Sequence, residues 1–235
     1  GSLSLWMAEN YPNSRITSVS NSASQREFIL GRAKERGLTN LTVITADVND
    51  FSTETKFDRA VSVEMFEHVT NHEELFSRIS SWLKPTGKLF VHIFCHQSFP
   101  YRFEPEGTAN WMGRYFFTGG IMPSDRYLIE CQNHLKIADH WQWNGTHYAK
   151  TARGWLNLWD QNKLEVWPVL EETYGEGEAR KWFHRWRIFL CLARNFGHSA
   201  TALNGLSLIT YSRNHSAVGS TRSQYLLVDF ANLLG

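Results

Sequence analysis

The stretch from Phe57 to His72, FDRAVSVEMFEHVTNH, limits what this chain can fold into more than any other. Phe57, Ala60, Val61 and Val63 suit a buried strand. Glu64, Glu67 and His68 follow at once. If a helical turn starts here, positions i, i+3 and i+4 share one face. Two carboxylates and an imidazole then converge at the carboxyl end of a strand, the edge of open α/β sheets where ligands bind. The competing reading is a helix N-terminus that favours acids because of its dipole.

The rest of the chain builds around that strand. Residues 2–11 read as an amphipathic helix ended by Pro12 and Asn13. Arg15 to Val19 is a short strand. Ser22 is a good N-cap for a helix through Gln25, Phe28, Ile29 and Ala33, which stops at Gly37. Strands follow at Leu41–Thr45 and Phe57–Val63. A helix over Glu73–Leu83 closes on Lys84-Pro85-Thr86-Gly87, and Lys88–Phe94 is a further strand. Strands alternating with helices predict an α/β, Rossmann-like, doubly wound sheet with helices on both faces. Such a sheet normally starts with a strand, so the first strand and the start of a glycine-rich loop are expected to precede residue 1.

After Phe94 the rhythm changes. Residues 96–120 are aromatic and rich in turns, as an insertion over the sheet edge would be. A strand is expected within 134–143 and helices near 150–173 and 176–196. The second helix is apolar almost all round, which suits a buried cap helix. Residues 204–212 read as a last strand. The tail beyond Asn214 shows patterning only at YLLVDFANLL and has no assigned place.

Composition narrows the function classes. With 235 residues, one domain or a domain with a cap is expected. A net charge of +1 gives no case for a nucleic-acid partner or a polybasic membrane patch. Ten Trp, fifteen Phe and eight Tyr, concentrated after residue 94, fit a large core or a pocket for a flat, greasy ligand. Cys95, Cys131 and Cys191 form no close pair, which argues against a disulfide framework or a metal site and for a reducing, cytoplasmic setting. No apolar run is long enough to cross a bilayer.

Several segments, in order over residues 1 to about 197, carry a family resemblance: GSLSLWMAENYPNSRIT, SNSASQREFI, SVEMFEHV, FVHIFCHQSF, YFFTGGIMPS, HWQWNGTHYAKT and WFHRWRIFL. The chain resembles the S-adenosylmethionine-dependent methyltransferases of the coclaurine N-methyltransferase and cyclopropane-fatty-acid synthase group. The resemblance implies a class I methyltransferase sheet with an aromatic-rich helical cap. It implies a cofactor-binding core over 1–96, a substrate-binding insertion and cap over 97–197, and a last strand with a divergent tail over 198–235. The family's loop resembles Gly-Cys-Gly-Trp-Gly-Ser-Leu, of which Gly1, Ser2 and Leu3 match the end; a Gly-Ser start is also a common cloning scar.

The same resemblance assigns roles. S-adenosyl-L-methionine is the implied cofactor. Gly1 and Ser2 would meet its methionine end, Asn21 and Gln25 its ribose, Asp47 and the Val48 backbone its adenine, with Val63 alongside. From local residues alone, Asn21 and Gln25 also fit a capping turn, and Asp47 a turn-former. Glu67 and His68 match the pair that takes the proton from an amine nucleophile, and Glu64 the supporting acid. Phe94, Phe117, Trp186 and Phe189 are either walls for an aromatic substrate or core. His92 is expected to be a satisfied strand residue.

The implied activity is N-methylation of a small aromatic amine, of the benzylisoquinoline alkaloid kind. The alternative is a cyclopropane-fatty-acyl-phospholipid synthase; Val69-Thr70, where synthases usually place Val-Gly, and FCHQSFPYRFEPEG lean to the amine branch. A truncated, non-catalytic methyltransferase fragment is a third reading. The cut loop supports it, as does Asn204-Gly205-Leu206-Ser207 where relatives usually carry Asn-Gly-Glu-Trp. The expected partner is a small-molecule amine, with no stable membrane insertion; a homodimer stays open.

Overall fold

The computed structural model describes residues 1–107, 110–198, 205–212 and 224–229. The first half alternates as the sequence predicts. It runs α1 (Ser2–Asn10), β1 (Arg15–Ser20), α2 (Ala23–Glu35), β2 (Leu41–Thr45), β3 (Phe57–Val63), α3 (His72–Trp82) and β4 (Leu83–Cys95). Ser22 caps α2, its Oγ accepting from the Gln25 N–H. The second half holds short β5 (Tyr101–Arg102), α4 (Trp111–Tyr115) and β6 (Ile121–Met122), then β7 (Lys136–Trp143). Three helices follow, α5 (Thr146–Gln161), α6 (Lys163–Tyr174) and α7 (Ala179–His198), and finally β8 (Gly205–Ser212) and β9 (Gln224–Asp229).

Seven strands form one sheet in the order β2-β1-β9-β3-β4-β8-β7. β2, β1, β9, β3 and β4 run parallel, and β8 is antiparallel to both β4 and β7. The central slot between β1 and β3 is filled by β9, from the tail that sequence reasoning could not place. A strand buried on both faces in a parallel sheet reads as a continuous apolar run, and Tyr-Leu-Leu-Val is one. Successive residues of β9 join different clusters. Leu226 belongs to the cluster that includes Phe76 and Ile79 of α3, and Leu227 to the one that includes Met7 and Ala8 of α1. Side chains alternate along a strand, so helices cover both faces.

Three expectations need correcting. The helix expected over 150–173 is two helices, broken at Asn162, which closes α5 through Leu158 O and opens α6. The cap helix is not buried all round: Ala179, Phe183, Trp186, Leu190 and Ala193 are buried at 3–4-residue spacing, while Ile188 is exposed. Its Arg and Lys residues hold the other faces in water, and Arg187 pairs with both carboxylate oxygens of Asp160. Finally, β4 begins at Leu83. Phe57 pairs with Leu83 and Arg59 with Lys88, so Lys84–Gly87 bulges out of the ladder rather than ending it. Gly87 is required there, because an added Cβ would lie 2.9 Å from the Lys84 carbonyl.

Asn40 ties the first units together. Its amide nitrogen lies 3.0–3.1 Å from the carbonyls of Ala8, Tyr11 and Ser14, the stretch that turns α1 into β1. Removing it takes that donor from the Ala8 and Ser14 carbonyls, while the Tyr11 carbonyl still accepts from the Ser14 N–H. Asn40→Ala is expected to cost about 1–3 kcal/mol, read as a thermal midpoint lower by roughly 2–10 °C. A midpoint within a degree of the parent would show that water replaces the amide.

Candidate active site

β3 delivers the chain to the sheet edge at Val63, and Glu64 turns it. Glu64 has φ 51, the left-handed region, and is the one non-glycine residue with positive φ among those described. Its N–H donates to the His92 carbonyl on β4 at 2.9 Å. No α-helix starts at Glu64, the condition under which positions i, i+3 and i+4 would share a face. A single 3₁₀ turn covers Phe66–His68, and α3 starts at His72. Glu64, Glu67 and His68 converge all the same, through the left-handed turn rather than through helical spacing.

They line a cavity of about 630 Å³ at the carboxyl end of β3. Gly1 and Ser2 border it at the start of α1, and Val63 at the end of β3. Phe94, Phe117 and Phe189 supply apolar walls. Phe117 stacks on the His68 ring, with centroids 5.6 Å apart and planes 4° from parallel. Trp186 does not reach the cavity. It packs in the cap core, 4.9 Å from the Phe116 ring, and donates to the Tyr174 hydroxyl.

The acids are held in unusual states. Glu67 is 1% exposed. Burial, with the charge of Glu64 adding to it, holds its carboxyl well above the ordinary carboxylate range. Glu64 keeps 27% of its side chain exposed, on the cavity it lines. Burial pushes it up to about 8. Burial also lowers His68, whose Nε2 lies 4.0 Å from Glu67 Oε1. At neutral pH the cavity therefore presents protonated acids and a neutral imidazole. Glu67 Oε2 has no hydrogen-bond partner among the described residues. A buried acceptor left so is costly unless a ligand or water meets it.

The residues expected at ribose and adenine lie at the same sheet edge but outside this cavity. Asn21 follows β1, and its Oδ1 is buried without a partner among the described residues. Gln25 is engaged locally: its Oε1 accepts from Ser20 Oγ at 3.1 Å. Asp47 is exposed and forms a turn, its Oδ1 accepting from the Asn49 N–H and side-chain amide. Val48 is buried beside Phe51. The unpartnered Asn21 oxygen and the open cavity fit a polar cofactor; among the described residues Gln25, in the first turn of α2, and Asp47, in a turn after β2, show only local hydrogen bonds.

Sequence reasoning missed Tyr148 and Trp155 of α5, which also line the cavity. Burial raises the Tyr148 hydroxyl, and the nearby Glu64 and Glu67 add to it. Its signal was a tyrosine at the start of an amphipathic helix, too common to single out.

Residues 1–193 match the family described as mycolic acid cyclopropane synthetase. An (S)-coclaurine N-methyltransferase of Thalictrum flavum subsp. glaucum is 36% identical over 197 residues, 82% of this chain and 54% of that protein. The Escherichia coli (strain K12) cyclopropane-fatty-acyl-phospholipid synthase is 30% identical over 178 residues, 75% of this chain and 43% of that protein. The crystal structure of coclaurine N-methyltransferase bound to N-methylheliamine and SAH superposes with a TM-score of 0.83 at 33% identity, covering 90% of this chain and 64% of that one. The chain thus spans about half the length of the curated relatives it matches. Family match, relatives and superposition agree: the chain belongs to the mycolic acid cyclopropane synthetase family, whose relatives here include both N-methyltransferases and cyclopropane synthases.

Proposed function

We propose that this chain carries the catalytic core of an S-adenosylmethionine-dependent N-methyltransferase acting on a small aromatic amine. One observation carries the reading: two buried acids face an aromatic-walled cavity whose lining, among the described residues, has no Lys or Arg. An ammonium entering there is the counter-charge the site lacks, and its arrival favours the ionised acid. An alkene arrives uncharged and becomes cationic only after methylation, so it gives the acids no counter-charge on binding. S-adenosylmethionine, when bound, supplies a methyl group on a positively charged sulfur. Gly1 and Ser2, at the N-terminus of α1, would hold its carboxylate. Asn21 Oδ1 would accept from a ribose hydroxyl, with Gln25, Asp47, Val48 and Val63 around it.

The chain's own work is to place the amine and take its proton. Glu67 accepts the ammonium proton once a cation draws it into the ionised state, and neutral His68 is the second acceptor. Glu64 supplies a further carboxyl on the same wall. The Phe rings and Trp155 hold the apolar part of the amine and exclude water.

Two titrations test this. Calorimetry with S-adenosylhomocysteine should show binding that Asn21→Ala weakens about tenfold, the loss of one buried hydrogen bond. Adding (S)-coclaurine to the cofactor-bound chain, in two buffers of different ionisation heat, should release protons at pH 7. Methyl transfer to (S)-coclaurine but not to unsaturated phospholipid vesicles completes the case. Transfer to the vesicles alone would replace this reading with cyclopropane synthesis, and binding of neither ligand with the fragment reading.

A further inference from the structure

His92 sits behind the cavity wall, on β4, in register with Val63 at the end of β3. Its side chain is 17% exposed. It holds Glu64 twice. Its carbonyl accepts the Glu64 N–H at 2.9 Å, and its Nδ1 lies 2.9 Å from Glu64 Oε1. Neither of those side-chain atoms makes a hydrogen bond of full geometry to any described residue, each other included. Two buried, unsatisfied atoms thus lie 2.9 Å apart, and a small rotation of either side chain would let one proton serve both. Glu64 also holds the left-handed backbone that places it here, a conformation that persists only where its surroundings over-determine it.

We propose that His92 is a positioning residue for this site: it fixes the Glu64 carboxyl and relays the proton that Glu64 receives away from the cavity. The inference rests on the amine-methylation reading, since it needs a proton to be delivered. The relay balances. The amine N–H bond breaks as an O–H bond forms on Glu67, and that O–H bond breaks as one forms on the neighbouring Glu64 carboxylate. The Glu64 O–H bond then breaks as an N–H bond forms at His92 Nδ1, and the imidazolium loses its other ring proton to water, leaving both carboxylates and the neutral imidazole ready for the next turnover. The titratable groups nearby are Glu64 itself, Glu67 and His68 in the following turn, and Tyr148 on α5. None is a permanent cation, so no fixed positive charge opposes protonation of His92; burial does lower its pKa, which keeps the imidazole neutral between turnovers. Against β8 the partner of His92 in register is Leu208, which does not titrate.

The test separates this idea from the function it rests on. The His92 imidazole is titrated by ¹⁵N NMR in the chain itself, in Glu64→Gln, and in Glu64→Asp, which withdraws the carboxyl by one methylene. Coupling predicts a two-step curve for the parent and a single step in Glu64→Gln, displaced by about one pH unit or more. Superimposable curves in all three proteins overturn the proposal, and this readout needs no turnover. Methyl transfer to (S)-coclaurine gives the second arm. His92→Asn keeps a polar group near Nδ1 but cannot carry the proton. It should lower kcat about 10- to 100-fold, with KM within about threefold and partial recovery at higher pH. Glu64→Gln with His92→Asn should be no slower than Glu64→Gln alone. Additive losses, or a raised KM with an unchanged pH profile, would reduce His92 to a packing residue. Absence of any methyl transfer would sink the function while the NMR result still decides the pairing.

Discussion

Glu67→Gln should lower kcat for methyl transfer to (S)-coclaurine by roughly 10²–10⁴-fold, the range for removing a positioned general base. The reason lies in where the carboxyl sits. Glu67 is nearly fully enclosed, it lines the cavity, and one of its oxygens lacks a partner among the described residues. Gln fills the same volume and can still donate or accept a hydrogen bond, so packing is preserved while proton acceptance is lost. S-adenosylhomocysteine affinity should stay within about threefold, because the carboxyl is assigned to the amine. The variant should also fold at least as well as the parent, since the parent must take up a proton to bury this carboxyl and an amide need not. His68→Asn is the companion measurement. A Glu67→Gln loss of less than about tenfold, beside a larger loss in His68→Asn, would move the base to the imidazole.

How much of this was legible in the sequence depends on which physical signal each residue carries. The strands at 41–45 and 57–63 and the cap on Ser22 were readable because apolar pattern and capping chemistry are local. Glu64, Glu67 and His68 were readable as a group. Their geometry was not, because the left-handed turn at Glu64 has no glycine to announce it. The pairing of His92 with Glu64 is set by the β3–β4 register, which brings together residues 28 positions apart in a way no local pattern records. β9 was hidden for the same reason. Its apolar run was visible, but only the sheet shows that it fills the slot between β1 and β3. Trp186 shows the converse limit: an aromatic residue in a cap helix belongs equally to wall or core until the helix's rotation is known. Here it faces Phe116.

Between pH 6.5 and about 8.5 the ligand-free chain should lose about 2–4 kcal/mol of stability, seen as a thermal midpoint falling by roughly 5–15 °C. The sign follows from proton counting. Glu64 titrates near 8 in the folded chain, and Glu67 is also held high, against an ordinary value of 4.5. Above pH 6.5 the unfolded chain has already released both protons and the folded chain still holds them, so raising the pH favours unfolding. The buried histidines act the other way. His68, His72 and His92 are lowered from 6.5, so their effect is a gain in stability as pH rises, complete once 6.5 is passed. The window above 6.5 therefore isolates the acids. Glu64→Gln combined with Glu67→Gln should flatten the profile there and raise the midpoint at pH 8.5 more than at pH 6.5. The same protons are the ones expected to leave when a cationic amine binds, so the two experiments must agree. A parent profile that is flat across this window would mean the acids are already ionised in the empty cavity, and amine binding would then release no protons. That outcome would leave the amine reading with its aromatic walls but without its electrostatic reason.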